Sequence, residues 1–213
     1  TAFNECQQLF LFRNMWKLPE PPSKVLVKGT LVHDTLDAFF DLAPSVRSID
    51  VLHDTLRNKW RRMRKLPKNL GLFSSREEER EWGLECLHLL DNYAAVENFV
   101  ELPLGEPVAR ETWLKHEFAA AATAGLPTLQ LVGRIDRLDS VDEGIVIVDY
   151  KTGKAPKLYS AEADARIREK NFFQLWCYAL MLARGPTPKL SSPSASLRPQ
   201  VLRLLYLGDG ADG

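Results

Sequence analysis

Two acids and a lysine stand on predicted β-strands, where burial normally excludes charged side chains. The stretch that carries them, residues 129–154, reads LQLVGRIDRLDSVDEGIVIVDYKTGK and predicts two strands joined by a tight acidic turn. The three residues are Asp136, Asp149 and Lys151. Carboxylates that face each other can hold a divalent cation, and an ammonium group beside them can stabilise negative charge on a phosphate. We therefore interpret the stretch as a metal-dependent phosphodiesterase centre.

The alternation of side chains along a strand places Asp149 and Lys151 on the same face. Tyr150 then points to the other face together with Val146 and Val148, which we expect to be the core side. The run GIVIV that leads into Asp149 is almost wholly apolar, as in a strand buried on both faces. Charged groups at the end of such a run lose hydration unless they pair or bind a ligand. Spacing alone leaves a functional site and a structural ion pair equally open.

The turn between the two strands predicts their register. If the turn centres on Asp142 and Glu143, Val141 faces Gly144, and this register places Asp136 directly opposite Asp149. Their Cβ atoms would then stand roughly 4.5–5.5 Å apart. Two carboxylates at that separation repel each other unless one is protonated or a cation lies between them. A one-residue bulge would change this arrangement.

Two segments upstream of these strands carry further candidate ligands. A helix is predicted over residues 28–40, where His33 and Asp37 are four residues apart and share a face. A lone histidine beside apolar neighbours is more often a structural residue than a metal ligand. Glu117, on a strand predicted over residues 109–119, can face the same site, although an exposed strand carboxylate is the commoner case.

Two more helices carry groups suited to a polyanion. The helix predicted over residues 48–66 is the most basic stretch of the chain, and it can contact phosphates or simply present a solvated face. A helix predicted over residues 161–184 places Gln174 and Tyr178 on one face, because they are four residues apart. The arginines of the basic helix considered as nucleic-acid contacts are Arg61, Arg62 and Arg64.

The composition is that of an ordinary globular protein. Of 213 residues, 45% are hydrophobic and 26% are charged, and the formal net charge is +0. Balanced charge counts mildly against a nucleic-acid binder, although charge can be segregated on one face. The three cysteines lack the spacing of a metal site or a disulfide framework, and no apolar run approaches the roughly 20 residues of a membrane span. We expect an intracellular protein of a reducing compartment, with no membrane partner.

Several sequence blocks, which follow one another in the order typical of the family, resemble the PD-(D/E)XK nuclease superfamily and specifically its RecB-like exonuclease branch. The central blocks are GRIDRLD, IVIVDYKTGKAP and QLWCYAL. Upstream, KGTLVHDTLD is similar to the helix of that family that carries a histidine, with Asp37 in place of the usual glutamate. NECQQLFLFR is similar to its opening C-P-x-x-F segment, with Gln7 in place of the proline, and the closing LLYLGDG also resembles the family. A single D-x-K is a weak signal, whereas the ordered blocks together are specific.

The resemblance implies a fold and a set of roles. The implied fold is α/β, restriction-endonuclease-like, with a central mixed sheet of about four strands flanked by helices. The implied ion is Mg²⁺ or Mn²⁺, and Lys151 would be the catalytic lysine. Gln174 and Tyr178 match a Q-x-x-x-Y helix that lines the catalytic site and positions DNA. The implied metal ligands are His33, Asp136, Asp149 and the backbone carbonyl of Tyr150.

Domain organisation follows from the same resemblance. We expect a single nuclease domain over residues 1–213, with a helical part to about residue 107 and a catalytic sheet core from about residue 108. The abrupt end at YLGDGADG indicates a truncated C-terminus. Many relatives continue into a cysteine cluster that binds iron and sulfur, so such a cluster is possible only in a longer form, with Cys6 as the sole candidate ligand here.

The predicted function is divalent-metal-dependent hydrolysis of DNA phosphodiester bonds, by an exonuclease of DNA repair or recombination. Single strands or ends are the preferred DNA, and a helicase or other repair protein is a possible partner. The alternative is a non-catalytic nucleic-acid-binding or assembly module of a helicase–nuclease complex. The set of Asp136, Asp149 and Lys151 favours the enzyme, because a module that only binds has no need of all three. A weaker third alternative is a metal-dependent hydrolase unrelated to nucleic acid.

Overall fold

The computed structural model describes residues 6–98, 106–118, 128–157, 160–185, 188, 190 and 198–209. Helices precede a sheet, and one further helix lies between its last two strands. Short 3-10 turns occur at Pro44–Val46 and Pro67–Asn69. In chain order the main elements are α1 (Gln7–Phe10, continued by a π-helical turn at Leu11–Met15), α2 (Lys24–Phe39), α3 (Ile49–Met63), α4 (Arg76–Glu97), β1 (Ala109–Phe118), β2 (Leu129–Val141), β3 (Gly144–Lys154), α5 (Ala161–Arg184) and β4 (Pro199–Gly208).

Serine side chains begin the three longer helices of the N-terminal half. The hydroxyl oxygens of Ser23, Ser48 and Ser75 each accept a hydrogen bond from a backbone N–H three residues further on. Such caps satisfy N–H groups that have no partner within the helix. Because Ser23 is the cap, α2 begins at Lys24, earlier than the predicted start at residue 28.

The sheet has four strands in the order β1-β2-β3-β4. Its first three strands are antiparallel neighbours, whereas β3 and β4 run parallel. The prediction of a mixed sheet of about four strands flanked by helices is confirmed. In the β2–β3 hairpin Val141 pairs with Gly144 and Arg137 pairs with Val148, which is the predicted register.

The core is divided between the two faces of this sheet. On one face α2, α3 and α4 pack against Val148 and Tyr150 of β3. On the other face α5 packs against a cluster that includes Ile145 and Ile147 of β3. Since β3 is covered on both faces, its apolar run is explained, and its end places Asp149 and Lys151 on the side of α5.

Two remaining expectations concern membranes and cysteines. No helix in the described part of the chain is long and apolar enough to cross a membrane. The thiols of Cys6, Cys86 and Cys177 are free, with Cys6 exposed and Cys86 buried.

Candidate active site

Three side chains from three different elements converge beside the sheet. The ligand atoms of His33 from α2, Glu111 from β1 and Asp136 from β2 all lie within 4.8 Å of one another. This set supplies one imidazole nitrogen and two carboxylate oxygens, which suits Mn²⁺ and, through its oxygens, Mg²⁺. The cluster therefore fits a divalent cation by the chemistry of its donors.

The two ring nitrogens of His33 face two different oxygens. Nε2 lies 3.1 Å from the carbonyl oxygen of Tyr150, and Nδ1 lies 3.4 Å from Oδ1 of Asp136. Adjacent ligands of an octahedral ion with bonds of about 2.1 Å stand about 3 Å apart, and the separation from Asp136 is close to this value. One nitrogen can bind an ion while the other donates its N–H to the remaining oxygen, as is usual for metal-binding histidines.

Acidic neighbours together outweigh the effect of burial on the pKa of His33. Burial alone would lower the pKa of His33, but the hydrogen bond to Asp136 and the negative charges of Asp136, Glu111 and Asp149 raise it overall. A histidine that only filled a core would have no such acidic surroundings. The position of His33 thus differs from that of a structural core histidine.

Asp136 replaces a backbone partner in the sheet. The paired residues of β2 and β3 end at Arg137 and Val148, and beyond them Oδ2 of Asp136 accepts a hydrogen bond of 2.8 Å from the backbone N–H of Tyr150. The strands therefore separate at the site, and the other oxygen of Asp136 is left to face His33.

Glu111 was not among the residues selected from the sequence. It has a φ of 46°, in the left-handed region, although the pairs on both sides of it keep the register of β1 with β2. A non-glycine residue in this conformation costs roughly 1–3 kcal/mol and is typical of functional sites. Glu117, the strand acid considered from the sequence, is exposed and accepts a hydrogen bond of 2.6 Å from Gln130 instead.

The carboxyl group of Glu111 lies between a base and an acid. Its Oε2 is 2.7 Å from Nε of Arg134, and only 13% of the side chain is exposed. Burial, followed by the negative charge of Asp136, raises the pKa of Glu111 to about 7. Nothing in strand alternation predicts this contact, because it depends on the left-handed backbone at residue 111.

Asp149 and Lys151 form a close ion pair at the end of β3. Lys151 Nζ lies 2.6 Å from Oδ2 of Asp149, whose side chain is 4% exposed, whereas that of Lys151 is 33% exposed. Burial and the charge of Asp136 raise the pKa of Asp149, and Lys151 opposes this rise. Asp149 is outside the group of ligand atoms formed by His33, Glu111 and Asp136. Its assignment as a metal ligand stays a prediction.

Helix α5 connects Lys151 to the strand that carries Asp136. Lys151 Nζ donates to Oε1 of Gln174 over 3.2 Å, and Nε2 of Gln174 donates to the hydroxyl oxygen of Tyr178 over 2.6 Å. The Tyr178 hydroxyl in turn donates to the carbonyl oxygen of Arg134 over 2.6 Å. The predicted pair on α5 thus reaches the site by contacting the protein itself, and contact with DNA stays a prediction.

Gly133 makes this connection possible. A Cβ atom at residue 133 would lie 2.4 Å from Cε1 of Tyr178, a distance that real Cβ atoms essentially never show. The glycine of the GRID segment is therefore explained by the ring of Tyr178, which lies directly against the backbone of β2.

A buried arginine supports the site from the other face of the sheet. Arg137 donates to the hydroxyl oxygen of Tyr150 over 3.1 Å and to that of Tyr93 over 3.2 Å. It also pairs with Glu97 at 2.8 Å, and the side chains of Arg137 and Glu97 are 4% and 3% exposed. Since the carbonyl of Tyr150 faces His33, Arg137 fixes the residue that provides this oxygen. The sequence analysis did not select Arg137 either.

Of the predicted nucleic-acid arginines, Arg61 and Arg62 are exposed on α3, and Arg64, also exposed, follows its last residue. Arg64 pairs with Glu79 at 2.9 Å, and Arg61 donates to Asn58 over 2.9 Å. Their role in binding nucleic acid stays a prediction.

The chain was compared with known protein families and with curated proteins. A family model described as the PD-(D/E)XK nuclease superfamily matches residues 1–209. No curated protein matches the chain.

Proposed function

Because the chain belongs to the PD-(D/E)XK nuclease superfamily, we propose that it is a divalent-metal-dependent deoxyribonuclease. Membership implies a nuclease with the restriction-endonuclease-like α/β fold. The proposal goes further and assigns it to the RecB-like branch, as an exonuclease that degrades single strands or ends in DNA repair or recombination. A helicase or another repair protein is its proposed partner.

One observation carries this proposal. The cluster of His33, Glu111 and Asp136 lies where β2 and β3 separate, beside the part of β3 that presents the Asp149–Lys151 ion pair. Structural ion pairs occur in many proteins, but a cation site beside a fixed ammonium is what phosphodiester hydrolysis needs.

His33, Glu111 and Asp136 would hold Mg²⁺ or Mn²⁺. Asp149 and the Tyr150 carbonyl are the further ligands predicted from the sequence. When bound, such an ion stabilises negative charge on the phosphate and lowers the pKa of a water molecule.

The residues of the chain account for the remaining requirements. In hydrolysis the oxygen of water forms a bond to phosphorus, the bond to the leaving oxygen breaks, and that oxygen takes up a proton. Lys151 would hold a phosphate oxygen or orient the attacking water, because Asp149 and Gln174 fix its ammonium group between them. The partial exposure of Lys151 leaves it accessible to a substrate.

The test compares DNA cleavage by the protein and its variants. Labelled single- and double-stranded DNA is incubated with Mg²⁺, Mn²⁺ or EDTA, using wild type, Asp149→Ala and Lys151→Ala. We expect cleavage only with a divalent ion and a loss of at least about 100-fold in both variants, in line with the removal of a group that stabilises transition-state charge. Lys154→Ala is the matched control, because Lys154 is an exposed lysine on the same strand.

Two results would contradict the proposal. The first is that wild type leaves both DNA forms intact with either ion. The second is that Asp149→Ala and Lys151→Ala cleave as fast as Lys154→Ala. Labelling the 3′ and 5′ ends separately distinguishes removal of terminal nucleotides from internal cutting.

A further inference from the structure

An aromatic groove lies beside the site, between α5 and the end of the sheet. Its volume is about 560 Å³, within the range of about 300–1,000 Å³ typical of ligand pockets. The groove is bounded by β4 on one side and by residues that follow β3 on another. Its lining includes Pro156, Arg168, Phe172, Trp176, Leu204 and Tyr206.

The groove is continuous with the proposed catalytic residues. Tyr206 of β4 is the parallel partner of Lys151 on β3. Its hydroxyl oxygen accepts a hydrogen bond of 3.0 Å from Nδ2 of Asn171, which also lines the groove. Asn171 is one helical turn before Gln174, the residue that accepts from Lys151. A strand held at Lys151 would therefore have its next nucleotide at the mouth of the groove.

The walls of the groove suit a flat, mostly apolar ligand with a polar edge. Trp176 is 47% exposed, although a large aromatic side chain is normally much more buried. Polar groups also line the groove, among them the amide of Asn171 and the guanidinium of Arg168, which donates to Asp164 over 3.0 Å. Nucleobases combine a π-face with hydrogen-bonding edges, and proteins bind unpaired bases by stacking them on aromatic side chains.

We propose that this groove binds an unpaired nucleobase of the DNA strand next to the phosphate at Lys151, stacked against Trp176. This inference rests on the proposed nuclease function and adds to it a subsite for one base of a single strand or a frayed end. A base within a duplex already stacks on its neighbours, so it can enter only after it has been unpaired.

The experiment measures whether Trp176 recognises a base. Wild type and Trp176→Ala are tested with a single-stranded oligonucleotide and with versions that carry one abasic residue at successive positions. The dissociation constant is measured in EDTA, and cleavage is measured with Mn²⁺. Phe173→Ala is the matched control, because Phe173 is 54% exposed on the same helix and is not among the residues that line the groove.

We expect Trp176→Ala to weaken binding of the intact oligonucleotide by roughly 5- to 150-fold, the usual effect of losing one stacked base. One abasic position should weaken wild type by a similar factor and leave Trp176→Ala almost unchanged. Phe173→Ala should stay within about twofold of wild type. A Trp176→Phe variant, which keeps an aromatic ring, should recover most of the affinity, whereas an alanine variant that had unfolded would lose binding to intact and abasic DNA alike.

The inference is overturned if Trp176→Ala binds as wild type does, or if it loses the same factor on intact and abasic DNA. Its failure is distinguishable from that of the proposed function. Normal cleavage that does not depend on Trp176 would refute base binding in the groove but not the nuclease function. Base-dependent binding in EDTA without any cleavage would refute the nuclease function and support a groove that binds single strands.

Discussion

Glu111→Gln tests whether the cluster at the separated strands is a cation site, because it should stabilise the metal-free protein. The pKa of Glu111 is raised from its ordinary value of 4.5 to about 7, by burial and by the charge of Asp136. At about 1.4 kcal/mol for each pKa unit, the ionised carboxylate destabilises the metal-free fold by on the order of 3 kcal/mol. Glutamine has nearly the shape of protonated glutamic acid and removes that charge.

The sign follows from which state releases its proton first. The unfolded chain ionises this group near pH 4.5, whereas the folded protein retains the proton until about pH 7. The unfolded state is therefore favoured progressively as the pH rises between these two values, and the destabilisation is complete above them. In EDTA, Glu111→Gln should match wild type near pH 4 and exceed it at pH 8.

The assay is unfolding by heat or urea in EDTA at both pH values. For a chain of this size 1 kcal/mol shifts the melting temperature by roughly 2–4 °C, so the variant should melt roughly 6–12 °C higher at pH 8. Glu117→Gln is the control, because Glu117 is an exposed acid on the same strand. Adding Mn²⁺ should reverse the order, because an ion that binds only the folded state stabilises it more the more tightly it binds, and Glu111→Gln lacks one carboxylate ligand.

Two outcomes would refute this reasoning. Glu111→Gln could prove less stable than wild type in EDTA at pH 8, which would mean that its carboxylate contributes favourable contacts to the empty fold. Alternatively, Mn²⁺ could raise the melting temperature of wild type and Glu111→Gln equally, which would remove Glu111 from the cation site.

Two further substitutions test the supports of the site. Gly133→Ala should displace the ring of Tyr178, because the new Cβ would lie 2.4 Å from Cε1. We expect cleavage to fall by about tenfold or more, since catalysis depends on sub-ångström positioning of the groups at the site. Gly153→Ala, where a Cβ meets nothing within 4 Å, should leave activity unchanged, and equal activities of the two variants would contradict a role for Tyr178 in the site. Arg137→Ala should lower the free energy of unfolding in urea by about 1–3 kcal/mol, because it removes one of the two arginines that pair with the buried carboxylate of Glu97 and leaves Arg203 as the other. A loss well below about 1 kcal/mol would show that the buried network is not needed for stability.

Local geometry explains which parts of the site could be predicted. The alternation of a strand and the length of a tight turn are short-range properties, so the shared face of Asp149 and Lys151 and the register of the hairpin follow from residues 129–154 alone. The buried strand and the helices followed from apolar patterns in the same way.

The rest of the site depends on contacts between distant parts of the chain. His33 meets the Tyr150 carbonyl across 117 residues, so spacing could not distinguish it from a core histidine, and only family resemblance indicated its role. Glu111 needed a left-handed backbone that glutamate rarely adopts. In the sequence Arg137 has the pattern of a surface residue, whereas in the structure the sheet and α4 bury its side chain.

The hydrogen bond from the Tyr150 N–H to Asp136 has a consequence for the entropy of ligand binding. A free aspartate samples several rotamers, and ordering them would oppose capture of an ion. Here one carboxylate oxygen is already held by the main chain of the neighbouring strand, over 2.8 Å. That conformational entropy is therefore lost when the sheet forms, not when a ligand arrives. The sheet thus preorganises the carboxylate of Asp136, because the bond to Oδ2 also fixes Oδ1, the oxygen that faces His33.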